Sequence, residues 1–377
     1  MRVLSLVFLP AFVYQALSLI AALNHLRRRW FSRGRNVSFQ PPVSVLKPLR
    51  GLDPNTFDAF VSQAKQAYPE FELLFGVADK NDPAIPEVER LQRAFPELAI
   101  RLLIGQAPFA NGKVGVLMNL AASARYPIWV LNDSDIKVPA DYLARVVEPL
   151  ADSSIGLVTC LYRARPHTVP ALWEALGIAA DFMPSTLVAQ LIGVREFGLG
   201  STLAFHASDL REAGGFEAIG DFLADDYQVA KHITASGKRA LLSTLTVETS
   251  LGDATWQGSW QHQIRWARTI RASKKGGYAG LPITQTGLWI VLAMALHFPA
   301  AAFTLLITRV ISALVSSLFV LNSLPAAALF GLAPLWDLYS FAVWITSYAG
   351  REVRWRDRVL FIDSHGRIEK RSEVRRG

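Results

Sequence analysis

Residues 128–138 read IWVLNDSDIKV, in which a short apolar run is followed at once by two carboxylates, Asp133 and Asp135. An apolar run of this length before polar residues indicates a buried β-strand. Side chains just past the carboxyl end of a strand in an α/β sheet face the crevice in which ligands bind. This stretch therefore predicts an α/β fold and places a candidate site at one edge of its sheet.

The chain around this stretch, from residue 42 to residue 250, alternates short apolar runs with amphipathic runs of helix length. This rhythm is typical of βαβ units and predicts a mainly parallel sheet covered by helices. We expect strands at residues 43–46, 72–78, 99–104, 128–131 and 155–160, and helices at residues 54–67, 83–94, 112–124 and 139–150.

The spacing of Asp133 and Asp135 suits a metal ion. Side chains two residues apart in an extended segment lie on the same face, so both carboxylates can meet one hard cation and its phosphates. Mg²⁺ and Mn²⁺ prefer such oxygen ligands. The alternative is a polar turn before Pro139, and the spacing alone does not separate the two.

Asp79 occupies the equivalent place after the predicted strand at 72–78. The KNDP sequence that follows it is typical of a turn, so Asp79 by itself is compatible with a purely local role. In a ligand crevice, its carboxylate would instead accept a hydrogen bond from the base or the ribose of a nucleotide.

Asp225 and Asp226 open a predicted helix with the sequence DDYQVAKHITASGK. One acidic residue at a helix N-terminus often stabilises the helix dipole, but two exceed that need. A carboxylate held there is a candidate general base for an acceptor hydroxyl. Lys113 also stands at a helix start and is a candidate for binding a diphosphate. The spacing of a Walker loop is absent, and a solvated lysine is the alternative.

A basic, Trp-rich segment follows the predicted sheet domain. Its aromatic and basic residues are Trp256, Trp260, Arg265, Trp266, Arg268 and Arg271. The pattern predicts an amphipathic helix that lies on a membrane with its indoles at headgroup depth. A second role is compatible with the first, in which Arg265 and Trp266 form a clamp on a leaving phosphate and an acceptor.

The composition places this domain beside a membrane. Of 377 residues, 51% are hydrophobic and the net charge is +8, with the apolar excess at the two ends. Residues 3–23 can span a bilayer, and the arginines that follow, including Arg33 and Arg35, predict a cytosolic domain by the positive-inside rule. A cleaved signal peptide is the alternative. No nucleic-acid-binding motif occurs, and the basic residues favour anionic lipids or phosphates as partners.

The second apolar region covers residues 286–349. We expect spans near residues 284–307 and 310–332 with a turn at Arg309, and a shorter re-entrant or interfacial piece at 335–349, which carries Asp337. The predicted organisation is an N-terminal anchor (1–26), a sheet domain (38–250), an interfacial segment (251–283), a transmembrane or re-entrant region (284–350) and a basic cytosolic tail (351–377). Cys160 is the single cysteine, so no intrachain disulfide is possible.

Five motifs in order resemble the ceramide glucosyltransferase family: PPVSVLKPLRGLDPN, GVADKNDP, LNDSDI, GGFEAIGDFLADDYQVAK and HQIRW. The run with KPLRGLDPN is the most specific, and the resemblance covers roughly residues 40–270. It implies a GT-A fold, a UDP-sugar donor, a lipid acceptor and Mn²⁺ or Mg²⁺ as cofactor. A bacterial branch that glycosylates hopanoid lipids is also similar, which implies an integral protein of a bacterial inner membrane.

The resemblance also implies roles for individual residues. Asp79 would contact uracil, Asp133 and Asp135 would face the metal and the diphosphate, and Asp226 would be the catalytic base. The donor-binding residues implied are Lys47, Asp79, Lys113, Asp133 and Arg265. Those implied for the acceptor or the leaving group are Asp225, Trp260, His262 and Trp266.

Two motif positions depart from the family pattern. His262 stands first in the (Q/R)xxRW motif, and the acidic motif reads DSD where the animal enzymes have DSG. A histidine tied to ceramide glycosylation in the animal enzymes has no counterpart near DFMPST at residues 181–186. The acceptor therefore stays open between ceramide, a hopanoid and another lipid.

The predicted function is an inverting, metal-dependent transfer of a hexose from a UDP-sugar to a lipid hydroxyl, which gives a β-linked glycolipid. Within enzymes, the alternatives are UDP-GlcNAc as donor with a hopanoid or other acceptor, and a polysaccharide synthase, which needs more spans for its channel. The alternative outside enzymes is a lipid-binding membrane scaffold, against which the complete set of acidic motifs argues.

Overall fold

The apolar runs of the central region form one seven-stranded sheet in the computed structural model, which describes residues 4–32, 38–355 and 358–369. The strands are β1 (Val43–Leu49), β2 (Phe71–Val77), β3 (Ala99–Ile104), β4 (Ile128–Leu131), β5 (Ile155–Arg165), β6 (Leu203–His206) and β7 (Arg239–Ser250). Their order across the sheet is β3-β2-β1-β4-β6-β5-β7. All pairs are parallel except those of β6 with β4 and β5, so the predicted mainly parallel sheet is confirmed.

The sequence patterns assigned no strand to β6 or β7, and they ended β5 five residues early, at residue 160. β6 has four residues, LAFH, and it lacks the wholly apolar run IWVL that marks the equally short β4. β7 is the last strand in the sheet order, so polar side chains along its exposed side interrupt the apolar pattern.

Helices connect the strands on both faces of the sheet. They are α1 (Leu9–Ser32), which precedes the sheet, and α2 (Thr56–Ala64), α3 (Ile85–Ala94), α4 (Gly112–Ser123), α5 (Tyr142–Val147), α6 (Val169–Gly177), α7 (Met183–Leu191), α8 (Ala207–Glu212) and α9 (Asp225–Thr234). The predicted helix at 139–150 is shorter than expected, because the chain passes into a 3₁₀ turn at Glu148–Ala151.

Two apolar cores lie on opposite faces of the sheet. Successive residues of β1 alternate between them: Val43 and Val45 belong to one core, and Leu46 to the other. This is the period-two alternation of an extended strand, and burial on both faces is typical of parallel sheets. The central strands are thereby fixed, and the loops at their carboxyl ends are held at one edge.

Further helices follow the sheet domain: α10 (Trp256–Ser273), α11 (Lys275–Ala279), α12 (Thr286–Ala295), α13 (Pro299–Leu314), α14 (Leu324–Ala328) and α15 (Ala333–Ser347). Within the described ranges, two helices are long and apolar enough to cross a membrane: Leu6–Ser32, and α13 extended by its last turns to give Pro299–Val320. The segments Lys275–Ile283 and Thr286–Ala295 pass the same test together but are bent by 47°.

The two long helices lie side by side in the same direction. Phe8 packs against Phe298 with ring centroids 5.6 Å apart at one end, and Ser18 hydrogen-bonds Ser312 at 3.0 Å further along. At the other end, Arg29 donates to the carbonyl of Val320 at 3.1 Å. The start of α13 therefore lies beside the start of α1, far from the sheet domain. From there the chain runs back toward the sheet domain along α13.

The predicted turn at Arg309 is wrong, because Arg309 lies inside α13 and the chain turns between α12 and α13, at residues 296–298. The guanidinium of Arg309 is buried and donates to both carboxylate oxygens of Asp337 on α15, at 2.8 and 2.5 Å. A charge inside an apolar region is tolerated when it is paired in this way. The residue that resembled a boundary thus joins two helices.

Residues beyond α15 return to the sheet domain. The N–H of Ile368 donates to the carbonyl of Asp221 at 2.7 Å, and that of Leu223 donates to the carbonyl of Gly366 at 3.0 Å. Residues 351–355 and 358–369 therefore lie on the same side of any membrane as the sheet. The predicted basic tail continues to residue 377, and its last part (370–377), like Arg33 and Arg35, lies outside the described residues.

Candidate active site

Lys113 joins two of the predicted acidic motifs. Its Nζ lies 2.8 Å from Asp133 Oδ1, beyond the end of β4, and 2.8 Å from Asp225 Oδ2, at the start of α9. Burial favours the neutral amine, but the carboxylates of Asp133, Asp225 and Asp226 outweigh it and raise the pKa of Lys113. The lysine is therefore a fixed cation among acidic side chains.

The loop before β6 links the same motifs through its backbone. The N–H of Asp133 donates to the carbonyl of Gly200 at 3.1 Å, and the N–H of Gly200 donates to Asp226 Oδ2 at 3.0 Å. A Cβ at position 200 would stand 2.7 Å from Asp133 Oδ2, so a side chain there would displace the carboxylate. No sequence motif pointed to Gly200, because its role depends only on this close approach.

Asp226 is a half-buried carboxylate whose pKa is raised. Its Oδ1 accepts the N–H of Tyr227 at 2.7 Å. Burial and the neighbouring Asp225 raise the pKa of Asp226 to about 6, against the opposing effect of Lys113. General bases work best when their pKa lies near the operating pH, so this carboxylate suits proton abstraction.

Asp135 is half-buried and is held at the end of β7. Its Oδ2 accepts from Thr249 Oγ1 at 2.5 Å and from the N–H of Ser250 at 2.9 Å. Burial and the charge of Asp133 raise the pKa of Asp135, and these two donors only partly oppose the shift. A cation shared by the two carboxylates would relieve the repulsion between them.

The carboxylates of Asp133 and Asp135 could bind a hard divalent ion only if a substrate supplied further ligands. Within the described ranges, no group of three or more His, Cys, Asp or Glu side chains is arranged to hold a metal ion. Mg²⁺ is commonly bound by one or two carboxylates, with water and substrate phosphates completing its shell. Asp133 and Asp135 offer oxygen ligands of that kind, so the residues present fit an ion held jointly with a diphosphate.

Lys47 lies beneath residues 132–135, which form the acidic loop after β4, and its side chain in β1 is fully buried. Its Nζ donates to Asn132 Oδ1 at 3.2 Å and to the carbonyl of Asp133 at 2.9 Å. Burial lowers the pKa of Lys47 to about 8. Asn132 also donates to Tyr142 at 2.7 Å, so both side chains fix the backbone that presents Asp133 and Asp135.

Asp79 is at the same edge of the sheet but outside this cluster. It follows β2, which is separated from β4 by β1, so the two loops start about 10 Å apart at the usual strand spacing. Asp79 is exposed, and its Oδ1 accepts the N–H of Asn81 at 2.9 Å. Asp82 in the same turn accepts the N–H of Gly51 at 3.0 Å, which ties it to the KPLRGLDPN run.

Arg265 approaches the carboxylates from α10. Its side chain makes no hydrogen bond or ion pair with any of the described residues. Burial lowers the pKa of Arg265, and the charges of Asp133, Glu174 and Asp226 oppose the shift. The guanidinium is thus close enough to interact electrostatically with the acidic cluster, while its N–H groups stay available to bind an anion.

Glu174, on α6, anchors this part of α10 and was not predicted from the sequence. Its buried carboxylate accepts hydrogen bonds from Ser259 Oγ at 2.9 Å, from Gln263 Nε2 at 3.1 Å and from His262 Nδ1. Burial opposes ionisation of Glu174, but His262 and these donors leave its pKa below the usual range. A single acidic residue inside the apolar run VPALWEALG was the only signal in the sequence.

Trp266, predicted to form a clamp with Arg265, and Trp260, predicted for the acceptor side, lie on different sides of α10. Trp266 packs against Phe182 and His262, with ring centroids at 5.4 and 4.8 Å. Trp260 packs against Tyr339 of α15 at 5.4 Å, toward the apolar helices. His262 and Trp266 therefore share one environment, and Trp260 occupies another.

A cavity of about 380 Å³ opens beside Trp260 and Arg265. Its lining residues come from α10, from the end of α15 and from the segment after it: Gln257, Trp260, Gln261, Ile264, Arg265, Arg268, Thr346, Glu352, Val353 and Arg354. The lining combines apolar, amide and guanidinium groups, which suits a molecule with an apolar part and a polar head.

Known proteins provide a comparison for this arrangement. The model of glycosyl transferase family 21 matches residues 3–368. Ceramide glucosyltransferase 1 of Caenorhabditis elegans is 32% identical over 210 residues, which are 54% of this chain and 44% of the relative. Ceramide glucosyltransferase 3 of the same organism is 26% identical over 229 residues, or 60% and 50% of the two chains. The chain thus spans about half the length of the curated relatives it matches.

One solved structure supports the fold. A mannosyltransferase from Pyrobaculum calidifontis, solved in complex with GDP-Man and Mn²⁺, superposes with a TM-score of 0.51 at 21% identity. The match covers 91% of this chain and 99% of that protein. The predicted GT-A type fold is confirmed by this likeness.

Proposed function

The chain belongs to glycosyl transferase family 21, and from this membership we propose that it moves a hexose from a UDP-sugar to a hydroxyl group of a membrane lipid. The observation that supports the proposal most is the cluster of Asp133, Lys113, Asp225 and Asp226 below Arg265. This cluster combines a base, fixed cations and metal-type oxygen ligands at the edge of the sheet, next to apolar helices.

The donor would bind across the carboxyl ends of the strands. Lys113 and Arg265 would contact the diphosphate, and Asp79, at the outer end of the same edge, would contact the uracil. Asp133 and Asp135 would hold Mn²⁺ or Mg²⁺, which when bound offsets the negative charge of the diphosphate. Lys47 would keep the loop of Asn132, Asp133 and Asp135 rigid, since its Nζ donates to the side chain of Asn132 and to the carbonyl of Asp133.

Transfer would be a single displacement. Asp226 takes the proton of the acceptor hydroxyl as its oxygen forms a bond to the anomeric carbon and the bond from that carbon to the UDP oxygen breaks. The glycolipid and UDP leave, and the proton stays on Asp226 until solvent removes it. Arg265 stabilises the charge that develops on the leaving diphosphate, which is usually a large catalytic contribution. One displacement inverts the anomeric carbon, so an α-linked donor gives a β-linked product.

The acceptor would reach Asp226 from the membrane side. The cavity beside Trp260 lies between α10, the end of α15 and residues 352–354, and Arg265 is part of its wall. An amphiphile could therefore keep its tail among the apolar helices and place its hydroxyl toward the carboxylates. Ceramide and a hopanoid both have this character, and Asp225, His262 and Trp266 would contribute to the acceptor side.

The experiment is a transfer assay with the purified protein in lipid nanodiscs. UDP-glucose and UDP-GlcNAc are supplied in turn with ceramide, with a hopanoid or with no added lipid, and products are identified by mass spectrometry. We expect a monoglycosylated lipid from one donor and acceptor pair. A polymer of sugar would favour a polysaccharide synthase, and lipid binding without turnover of either donor would favour a scaffold.

A further inference from the structure

The chain after α15 forms a small meander that comes back to the candidate site. Its strands are β8 (Glu352–Trp355) and β9 (Arg358–Phe361), which pair in antiparallel fashion. A turn follows, in which the N–H of Gly366 donates to the carbonyl of Asp363 at 3.2 Å. Gly366 has a φ of +83°, a conformation that favours glycine. We call residues 351–355 and 358–369 the C-terminal meander.

The first part of this meander is fixed to α10. The guanidinium of Arg268 donates to the carbonyls of Ala349 and Glu352, and Arg271 donates to the carbonyl of Gly350 at 3.4 Å. A Cβ on Gly366 would stand 3.5 Å from Ala272 Cβ, so the later turn also lies against α10. The meander is therefore attached to the helix that carries Arg265.

The last part of the meander pairs with the loop just before α9. The N–H of Ile368 donates to the carbonyl of Asp221 at 2.7 Å, and that of Leu223 donates to the carbonyl of Gly366 at 3.0 Å. Between these two bonds, the guanidinium of Arg367 lies 4.9 Å from the ring centre of Phe222. Leu223 is separated from Asp225 by one residue, so this pairing lies directly beside the acidic pair.

The same loop is bonded on its other side to the segment that carries Lys113. Asp221 Oδ1 accepts the N–H of Ala110 at 3.0 Å, and Asn111 donates to the carbonyl of Phe222 at 2.8 Å. Asn111 in turn caps α4, since its Oδ1 accepts the N–H of Lys113 at 3.0 Å. The loop at 221–223 is thus held between the meander and the start of α4.

We propose that the C-terminal meander is a positioning element of the transfer reaction, which sets the loop carrying Asp226 relative to Arg265 on α10. This inference rests on the proposed function. A base must lie within hydrogen-bonding distance of the proton it takes, and a displacement of about 1 Å can cost on the order of 10²-fold in rate. Because the meander bonds to both elements, it holds the base and the leaving-group arginine in one geometry.

Ile368→Pro tests this directly, because proline removes the N–H that donates to Asp221. Ile368→Val is the matched control for the side chain, since it keeps the N–H. Ser364→Pro is the matched control for proline, since Ser364 is exposed at the second position of the turn, where proline is well tolerated. We expect Ile368→Pro to lower kcat for lipid transfer at least tenfold with donor affinity within threefold of the parent, and both controls to stay within twofold in kcat.

A cross-link provides a second test that does not depend on the folding of the proline variant. Phe222 and Arg367 form an isolated antiparallel bridge of the non-hydrogen-bonded kind, in which the Cα atoms are about 4.5 Å apart. That spacing suits a disulfide, and the chain's own Cys160 is buried. We expect the double variant F222C/R367C to form the disulfide and, when oxidised, to transfer at least as fast as when reduced.

The outcomes separate this inference from the function on which it rests. If the parent protein transfers no sugar to any lipid, the proposed function is wrong. With an active parent, the meander's role is overturned if Ile368→Pro keeps kcat within twofold, or if it loses donor affinity in proportion to kcat. It is also overturned if no disulfide forms, or if oxidation lowers transfer more than tenfold, which would mean that the meander must open during turnover.

Discussion

Lys113 Nζ lies 2.8 Å from Asp225 Oδ2, which joins the start of α4 to the start of α9. The same nitrogen contacts Asp133, so two acidic residues that are 92 positions apart in sequence converge on one lysine. Asp225 is thereby neutralised by an adjacent cation, and Asp226 has no ion pair of its own among the described residues. This difference within the pair supports the proposal, implied by the family resemblance, that Asp226 abstracts the proton.

The first prediction concerns pH. The carboxylate of Asp226 acts as a base only when it is ionised, and burial together with Asp225 raises its pKa to about 6. We expect kcat to be maximal above this pH and to fall about tenfold per unit below it, as the base becomes protonated. The measurement is the pH profile of lipid transfer at saturating donor. An acid limb near pH 4 would show that the working carboxylate is not perturbed.

The second prediction concerns the metal. We expect excess chelator to abolish transfer and added Mn²⁺ or Mg²⁺ to restore it, because Asp133 and Asp135 offer the oxygen ligands that such ions prefer. Asp135→Asn should raise the metal concentration needed for half-maximal rate at least tenfold. Asp141→Asn, at an exposed position six residues further along the chain, is the matched control and should leave that concentration unchanged. Full activity in chelator would show that the motif of Asp133 and Asp135 is only a structural turn.

The third prediction separates Arg265 from Trp260. Arg265 has no partner among the described residues, and a guanidinium binds phosphate oxygens in a bidentate fork that lysine cannot reproduce. We expect Arg265→Lys to slow both lipid transfer and the slow hydrolysis of the donor without lipid. Trp260→Ala, which alters the wall of the cavity beside α15, should weaken transfer only. Equal loss of both reactions in Trp260→Ala would make it a structural residue of α10.

The fourth prediction concerns topology. Ser38 and Ser364 are exposed on the sheet side, and His297 is exposed in the turn between α12 and α13, near Phe8. We expect an impermeant thiol reagent on intact cells to label His297→Cys but neither Ser38→Cys nor Ser364→Cys, because the arginine bias predicts a cytosolic sheet domain. Cys160 is buried and gives little background. Labelling at Ser38→Cys would show that the sheet domain lies on the opposite side of the membrane from the one predicted.

The sequence predicted those parts of the fold that depend on local pattern. The strand before Asp133, the alternating helices and the apolar ends follow from periodicity, which each segment carries by itself. The short β6 carries no such pattern, and it is defined by its pairing with β4 and β5. The turn at Arg309 was misjudged because its partner, Asp337, lies 28 residues further along and supplies the compensating charge only in the folded chain.

The candidate site also contains some residues that local motifs predicted and others that only the folded chain reveals. Asp133, Asp225 and Asp226 stand at strand ends and a helix start, so motif spacing was sufficient to select them, and their chemical roles remain predictions. Gly200 matters only because its backbone lies between two carboxylates, and Glu174 only because α10 folds over it. Contacts of this kind join distant parts of the chain and leave no local pattern in the sequence.

The most direct test of the account is the substitution of the proposed base. Asp226→Asn keeps the size of the side chain and one acceptor for the N–H of Gly200, but it cannot take a proton. A general base contributes about 10²–10⁴-fold in rate. We therefore expect kcat for lipid transfer to fall by that factor while the dissociation constant of the UDP-sugar, measured by calorimetry, stays within threefold. Asp58→Asn, exposed on α2, is the control.

That comparison of turnover with donor binding decides the central claim. The account predicts an Asp226→Asn protein that is folded and binds its donor but is nearly inactive, beside an Asp58→Asn protein with the activity of the parent. Turnover of Asp226→Asn within threefold of the parent would contradict the assignment of the base and, with it, the proposed mechanism.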